Sequence, residues 1–80
     1  MSKPCHVLTV YVLVLPDDTL YVGSTAKPMK TRLKEHRARR GARCRLLGST
    51  VRCESRGEAE AEEGRVARRL RRAGYVVGQG

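Results

Sequence analysis

The chain has 80 residues and a formal net charge of +9, with seventeen Lys and Arg against eight acids. This length allows one small domain, and no stretch approaches the ~20 apolar residues that a bilayer span requires. The charge favours a polyanionic partner, because neutralised phosphates release their counterions. Three cysteines without Cys-x-x-Cys spacing argue against a disulfide framework, and the first residues lack a signal-peptide pattern. We therefore expect a soluble, cytoplasmic protein without membrane contacts, folded as a single domain over 1–80 with its core at about 7–72.

The first predicted element is a β-hairpin. Residues 7–15 are apolar or β-branched at almost every position, which predicts a central strand covered on both faces. Pro16-Asp17-Asp18-Thr19 is typical of a tight turn. Residues 19–23 then return as a second strand that ends at Gly23. The hairpin carries Tyr11 on its first strand and Tyr21 on its second.

A basic helix is predicted after the hairpin. Ser24-Thr25 could cap it, Pro28 suits its first turn, and the apolar pattern that starts at Met29 should fade near Gly41. Residues 42–47 could form a short turn of helix or a loop. Within the helix, Arg32 and His36 are four residues apart, so they should point the same way.

The second half of the sequence predicts one strand and one long helix. Residues 49–54 alternate apolar and polar side chains, and 55–57 break this strand. Residues 58–72 have acids in their first turns and arginines in their last, which suits the helix dipole; 75–77 leave as a short tail. The predicted fold class is α+β, with a small three-stranded antiparallel sheet flanked by helices in the order β-β-α-(α)-β-α.

Four motifs follow one another in the order of a known nuclease domain. Tyr11 lies in Thr-Val-Tyr, Tyr21 in Tyr-Val-Gly, Arg32 begins Arg-Leu-x-x-His, and Glu63 lies on the second long helix. This arrangement resembles the GIY-YIG nuclease family. The resemblance covers roughly residues 7–70 and implies that the protein is a Mg²⁺-dependent endonuclease, which cleaves DNA with little sequence specificity of its own.

The resemblance also implies a role for each site residue. One Mg²⁺ (or Mn²⁺) would be held mainly by Glu63, with Glu60 or Glu62 in that place if the helix turns differently. Arg32 would bind the non-bridging phosphate oxygens through its permanently charged fork. Tyr11 would position or deprotonate the water, supported by Tyr21 and His36, and His36 is the alternative base. A phenol with a pKa near ~10 needs the metal and Arg32 to lower that pKa before it can act as a base.

A basic surface is expected to bind nucleic acid through its phosphates. Its cations cluster on and beside the first helix and have no aromatic residues between them, so contacts to the backbone without base reading are expected. The predicted set is Lys27, Lys30, Lys34, Arg37, Arg39, Arg40 and Arg43. DNA is the expected partner, RNA is an alternative, and a protein partner could supply specificity.

Other interpretations of the same residues stay open. Taken one at a time, strand tyrosines are more often structural, an arginine more often solvated, and a helix histidine more often a packing residue. The protein could therefore be a noncatalytic nucleic-acid-binding module on the same fold, or a basic protein-interaction domain. Cys5, His6, Cys44 and Cys53 could ligate zinc, but their spacing lacks the usual short Cys pair.

Overall fold

The structure, a computed structural model, describes residues 7–48 and 50–79. Within these ranges the elements are β1 (Leu8–Val14), β2 (Leu20–Thr25), α1 (Met29–Arg40), β3 (Arg45–Leu46), β4 (Val51–Cys53), α2 (Arg56–Arg72) and β5 (Val77–Gln79). The predicted α+β class is confirmed. No helix in the described part of the chain is long and apolar enough to cross a bilayer.

The sheet is larger than predicted, with five strands among the described residues in place of three. β1 is central: β2 pairs with it antiparallel on one side, and β3 and β4 both pair with it antiparallel on the other. β5 lies parallel to the outer edge of β2, with Val77 opposite Leu20. The prediction of a three-stranded antiparallel sheet was therefore wrong. It missed β3 and β5 because these strands are too short to show an alternating pattern in the sequence. Residues 42–47 contain β3, not a turn of helix, and the predicted tail leads into β5.

The hairpin turn between β1 and β2 is confirmed. The Leu15 amide donates to the Thr19 carbonyl at 2.8 Å, and Asp17 Oδ1 accepts from both the amide and the hydroxyl of Thr19, at 3.1 and 2.6 Å. These bonds lower the pKa of the Asp17 carboxyl. Asp18 takes up a left-handed conformation with φ 69°. The closed turn fixes the register that places Tyr11 opposite Gly23.

The first helix starts later than its predicted cap. Ser24 and Thr25 lie inside β2, and the residue before the helix is Pro28, which provides no side-chain cap. Thr25 Oγ1 instead accepts a hydrogen bond from the Lys27 amide at 3.0 Å within the connection. The helix ends as predicted at Gly41, whose φ of 125° suits glycine.

The second helix starts two residues earlier than predicted. Ser55 is its N-cap, because Ser55 Oγ accepts from the Glu58 amide at 3.1 Å, while Glu58 Oε2 accepts from the Glu54 amide at 2.9 Å. The predicted break at 55–57 is therefore the beginning of the helix. β4 covers only Val51–Cys53 of the predicted strand 49–54, and residue 49 lies outside the described residues.

The two helices cover opposite faces of the sheet. Successive side chains of a strand point to opposite faces. Val10 and Val14 of β1 belong to the core that contains Ala59 and Ala67 of α2. Tyr11 points the other way, toward α1, where it contacts His36. One face of β1 therefore packs against α2, and the other packs against α1.

Candidate functional site

Tyr11 and Tyr21 lie side by side on the α1 face of the sheet. Their ring centroids are 6.4 Å apart, and Tyr11 pairs across the strands with Gly23. A Cβ atom at position 23 would lie 2.9 Å from both Tyr11 Oη and Tyr21 Cε2. Only glycine leaves room for both rings, which gives a physical reason for the Tyr-x-Gly spacing. Gly23 was noted in the sequence as part of this motif, but not as a site residue.

The Tyr11 hydroxyl joins the sheet to α1. It is 2.8 Å from His36 Nε2, and Arg32 Nε donates to it at 3.4 Å. The imidazole also packs against Tyr21, with ring centroids 5.3 Å apart. Arg32 and His36 thus point the same way, as their spacing predicts. We call Tyr11, Tyr21, Arg32 and His36 the tyrosine cluster.

Burial sets the protonation states in the tyrosine cluster. Desolvation raises the pKa of Tyr11, and it outweighs the nearby Arg32, which acts to lower that pKa. The pKa of His36 is lowered by burial and by the positive charges of Arg32, Arg40 and Arg39. Both shifts favour the uncharged forms, a protonated phenol beside a neutral imidazole. His36 Nδ1 is buried and has no partner among the described residues.

Glu35 holds two cations of the site in place. Its carboxylate accepts from Lys27 Nζ at 2.6 Å and from Arg32 Nη1 at 2.8 Å. These two bonds lower the pKa of Glu35 to about 2. Sequence reasoning did not assign Glu35 to the site, although its position three residues after Arg32 on a helix could have indicated the contact.

Within residues 7–48 and 50–79, some of the predicted nucleic-acid-binding side chains contact other residues of the protein, and others are free in solvent. The Arg40 guanidinium lies 4.6 Å from the ring centroid of Tyr21, which joins it to the tyrosine cluster. Arg37 Nε donates to the Cys44 carbonyl at 3.0 Å, and Lys27 is paired with Glu35. The others are exposed without a recorded hydrogen bond in the described part of the chain: Lys30, Lys34, Arg39 and Arg43.

Glu63 is the inward-facing acid of α2. It is 5% exposed and lies between Ala59 and Ala67 on the buried stripe of the helix. Glu60 is exposed, and Glu62 pairs with Arg65 at 2.8 Å. The geometry therefore favours Glu63 over its two neighbours as the acid that can face a buried ligand.

Glu63 and the tyrosine cluster lie on different layers of the fold. The structure shows no hydrogen bond between them within residues 7–48 and 50–79, although the negative charge of Glu63 acts on Tyr11 and contributes to its raised pKa. β5 pairs only with Leu20–Val22, so the outer edge of β2 at residues 23–25 has no strand partner among the described residues.

Glu63 is the carboxylate of the candidate site that could bind a metal ion. No three His, Cys, Asp or Glu side chains converge in the described part of the chain. Glu63 has no hydrogen-bond donor among the described residues, and its hard oxygens suit Mg²⁺, which keeps several waters and takes one or two carboxylates plus substrate phosphates. Cys44 and Cys53 are free and buried, while Cys5 and His6 of the zinc hypothesis lie outside the described residues.

The tyrosine cluster is packed tightly. Tyr11 is 1% exposed, whereas about a quarter of the Arg32 side chain reaches solvent. Four surface cavities of the described residues lie elsewhere, and none of these four is lined by a member of the cluster or by Glu63. Arg32 is thus the member through which an anion can first touch the cluster.

Comparison with family models, curated proteins and solved structures returned no match.

Proposed function

We propose that this protein is a Mg²⁺-dependent endonuclease of the GIY-YIG type, which hydrolyses DNA phosphodiesters with little sequence preference. One observation carries the proposal: the Tyr11 hydroxyl lies between a neutral imidazole at 2.8 Å and a guanidinium at 3.4 Å. A buried phenol with a proton acceptor on one side and a fixed positive charge on the other is suited to moving a proton next to a phosphate.

Arg32 is the phosphate-binding group of this proposal. Its Nε is directed to Tyr11 and its Nη1 to Glu35, so the planar fork is held from two sides. A fixed, permanently charged guanidinium can bind the non-bridging oxygens and stabilise the charge that grows on them during attack. Lys27 and Arg40 add positive charge around it, and Glu35 limits how far that charge is exposed before substrate arrives.

Proton transfer runs from water through Tyr11 to His36. The raised pKa of Tyr11 keeps the phenol protonated, so Oη can take the proton of the attacking water only as it gives its own to His36 Nε2. The lowered pKa of His36 keeps the imidazole neutral, so Nε2 would accept this proton in the tautomer that carries its own proton on Nδ1. A bound phosphate offsets the positive charges that lower this pKa, so substrate makes the imidazole a stronger base when it is needed.

Glu63 is the residue that would hold the metal ion. When bound, Mg²⁺ would act as a Lewis acid on the phosphate and stabilise the departing 3′ oxygen. The carboxylate is suited to this because it is buried and unpaired within the described residues, while Glu62 is already bonded to Arg65.

The exposed cations of α1 would hold the backbone beside the site. Their side chains lack aromatic partners for base stacking, so this contact would be tolerant of sequence. RNA could be bound in the same way, and a protein partner could supply a preference for particular substrates.

Cleavage of supercoiled plasmid with Mg²⁺ tests the proposal. Arg32→Ala should slow nicking by about 100-fold or more, because a fixed charge on the transition state is lost. Arg56→Ala is the matched control, since Arg56 is exposed and makes no recorded side-chain hydrogen bond in the described part of the chain. It should cut within about twofold of the parent protein.

Equal cutting by both variants would show that the site is wrong even if cleavage is real. Salt-sensitive binding by the parent protein without any cutting would instead identify the noncatalytic nucleic-acid-binding module. Absence of both DNA and RNA binding at low salt would leave the protein-interaction domain.

A further inference from the structure

A second basic surface lies on the other side of the molecule, on the outward side of α2. Four arginines surround a depression of about 270 Å³ there: Arg65, Arg68, Arg69 and Arg72. All four are exposed. With about 3.6 residues per turn, these positions share one side of the helix, opposite the buried Ala59, Glu63 and Ala67. We call this set the arginine face.

The arginine face is electrostatically unfavourable when no anion is bound. Its members are neighbours at spacings of three and four, and like charges at these spacings repel on a helix. Only Arg65 has an acidic partner among the described residues, Glu62 at 2.8 Å. The helix dipole favours cations in the last turn, which accounts for Arg69 and Arg72 but not for Arg65 and Arg68 one to two turns earlier.

We propose that the arginine face binds the phosphate backbone of a second nucleic-acid segment, so that one protein bridges two segments. Arginine forks bind phosphate oxygens in pairs, and the face is about 10 Å long, or about three base-pair steps of a duplex. The proposal takes nucleic acid as the partner, as the proposed function does, and it does not depend on cleavage.

The layering of the fold explains why the segment must be a second one. α1 and its cations cover the face of the sheet to which Tyr11 points, and α2 covers the face to which Val10 points. The outward side of α2 is therefore turned away from α1. A straight segment that lies along one basic surface does not reach the other.

Nucleic acid fits the arginine face better than an anionic membrane or an acidic protein does. A helix that binds a membrane surface inserts an apolar side next to its cations. The apolar side of α2 is covered by the sheet, with Ala59 and Ala67 fully buried. Protein interfaces usually need a desolvated apolar anchor, and the depression is lined by arginines alone.

Capture of one duplex by another tests the bridging. A labelled DNA duplex is passed over beads that carry an unlabelled duplex and the full-length protein, with EDTA present so that nothing is cut. The parent protein should retain the label. Arg68→Ala/Arg72→Ala should retain about tenfold less, because two phosphate contacts are lost, while binding of a single duplex persists through α1.

The control removes the same charge elsewhere. Arg52→Ala/Arg56→Ala replaces two exposed arginines that belong to neither basic surface and should retain the label like the parent protein. Circular dichroism should show both variants folded, since no recorded hydrogen bond within residues 7–48 and 50–79 involves any of the four side chains.

Equal capture by the two double variants overturns the bridging proposal and leaves the nuclease proposal intact. Failure of the parent protein to bind any duplex at low salt overturns both. Loss of binding to anionic lipid vesicles in Arg68→Ala/Arg72→Ala, with duplex capture unchanged, would assign the arginine face to membranes and also overturn the proposal.

Discussion

The tyrosine cluster and the arginine face are both basic, but their side chains are held differently. In the cluster, Arg32 is bonded to Tyr11 and Glu35, and Arg40 lies over Tyr21. On the arginine face, Arg68, Arg69 and Arg72 have no recorded hydrogen bond or ion pair in the described part of the chain. Held charges suit chemistry, which needs fixed geometry, while free charges suit a sequence-tolerant backbone contact.

Among the tests of this comparison, removing one hydroxyl from the cluster should have the largest effect. Tyr11→Phe leaves His36 Nε2 and Arg32 Nε without their partner and should reduce plasmid nicking by about 100-fold, the lower end of the range for lost proton transfer. It should also lower the free energy of unfolding by about 1–3 kcal/mol, because buried polar groups lose their bond.

Tyr75→Phe is the control for that prediction. Tyr75 is 52% exposed and its hydroxyl makes no recorded bond in the structure, so nicking and unfolding should match the parent protein. Unchanged nicking by Tyr11→Phe would remove the phenol from the mechanism. The hydrogen-bonded side chains of the cluster could then no longer be assigned to catalysis on the ground that they are held in place.

A pair of glycine substitutions tests how tightly each region is packed. Gly23→Ala places a methyl group 2.9 Å from both tyrosines and should destabilise the protein by about 1–3 kcal/mol, with slower nicking. Gly64→Ala on α2 meets nothing within 4 Å and should stabilise the helix by up to about 1 kcal/mol. Urea denaturation measures both, and opposite signs are expected; the same sign for the two would contradict the packing described for the cluster.

The stability of the cluster should depend on pH through His36. Because its folded-state pKa is lowered, the unfolded chain binds a proton that the folded protein does not. Its contribution is present above the unfolded pKa of about 6.5 and is lost as the pH falls below that value. Groups that surround the imidazole are Tyr11, Tyr21, Arg32, Glu35, Arg39 and Arg40.

Urea denaturation between neutral pH and pH 5 measures this loss. His36→Gln should show a flatter pH dependence than the parent protein. Glu35 contributes little over this range, since its lowered pKa of about 2 keeps it ionised in the folded protein and its stabilising effect is lost mainly below pH 5. A parental slope in His36→Gln would mean that another group is responsible.

The smallest effect is expected from Glu35→Gln. Loss of the carboxylate frees Arg32 and Lys27, so duplex binding should strengthen by about two- to threefold and become more salt-dependent. Nicking at saturating DNA should fall, because Arg32 is no longer held. Lys34→Gln is the control with the opposite expectation: it should weaken duplex binding and leave nicking at saturating DNA unchanged. If Glu35→Gln also weakens binding and leaves nicking unchanged, Glu35 does not hold Arg32 in place.

Much of the hairpin and of α1 could be predicted locally. The β-branched run around Tyr11, the turn at Asp17 and the helical spacing of Arg32 and His36 are decided by neighbours in the chain. The cap at Ser24-Thr25 was wrong because pairing with β1 continues β2 through both residues, and a strand hydrogen bond outweighs a weak capping preference.

The short strands could not be predicted in the same way. β3 has two residues and β5 three, so neither shows a period, and each is a strand only because a longer neighbour offers unpaired backbone groups. The orientation of Glu63 was also undecided among several glutamates until α2 packed its Ala59 and Ala67 against the sheet.

The sequence by itself determined the composition of the protein's two basic helices, the tyrosine hairpin and the order of the candidate site residues. Local preference and side-chain chemistry are sufficient for these. Only the tertiary structure decided that Tyr11 meets Arg32 and His36, that Glu63 lies on the opposite layer, and that the arginine face is turned away from the tyrosine cluster. These relations depend on which face of β1 each helix covers, and that choice is made by packing between segments far apart in the chain.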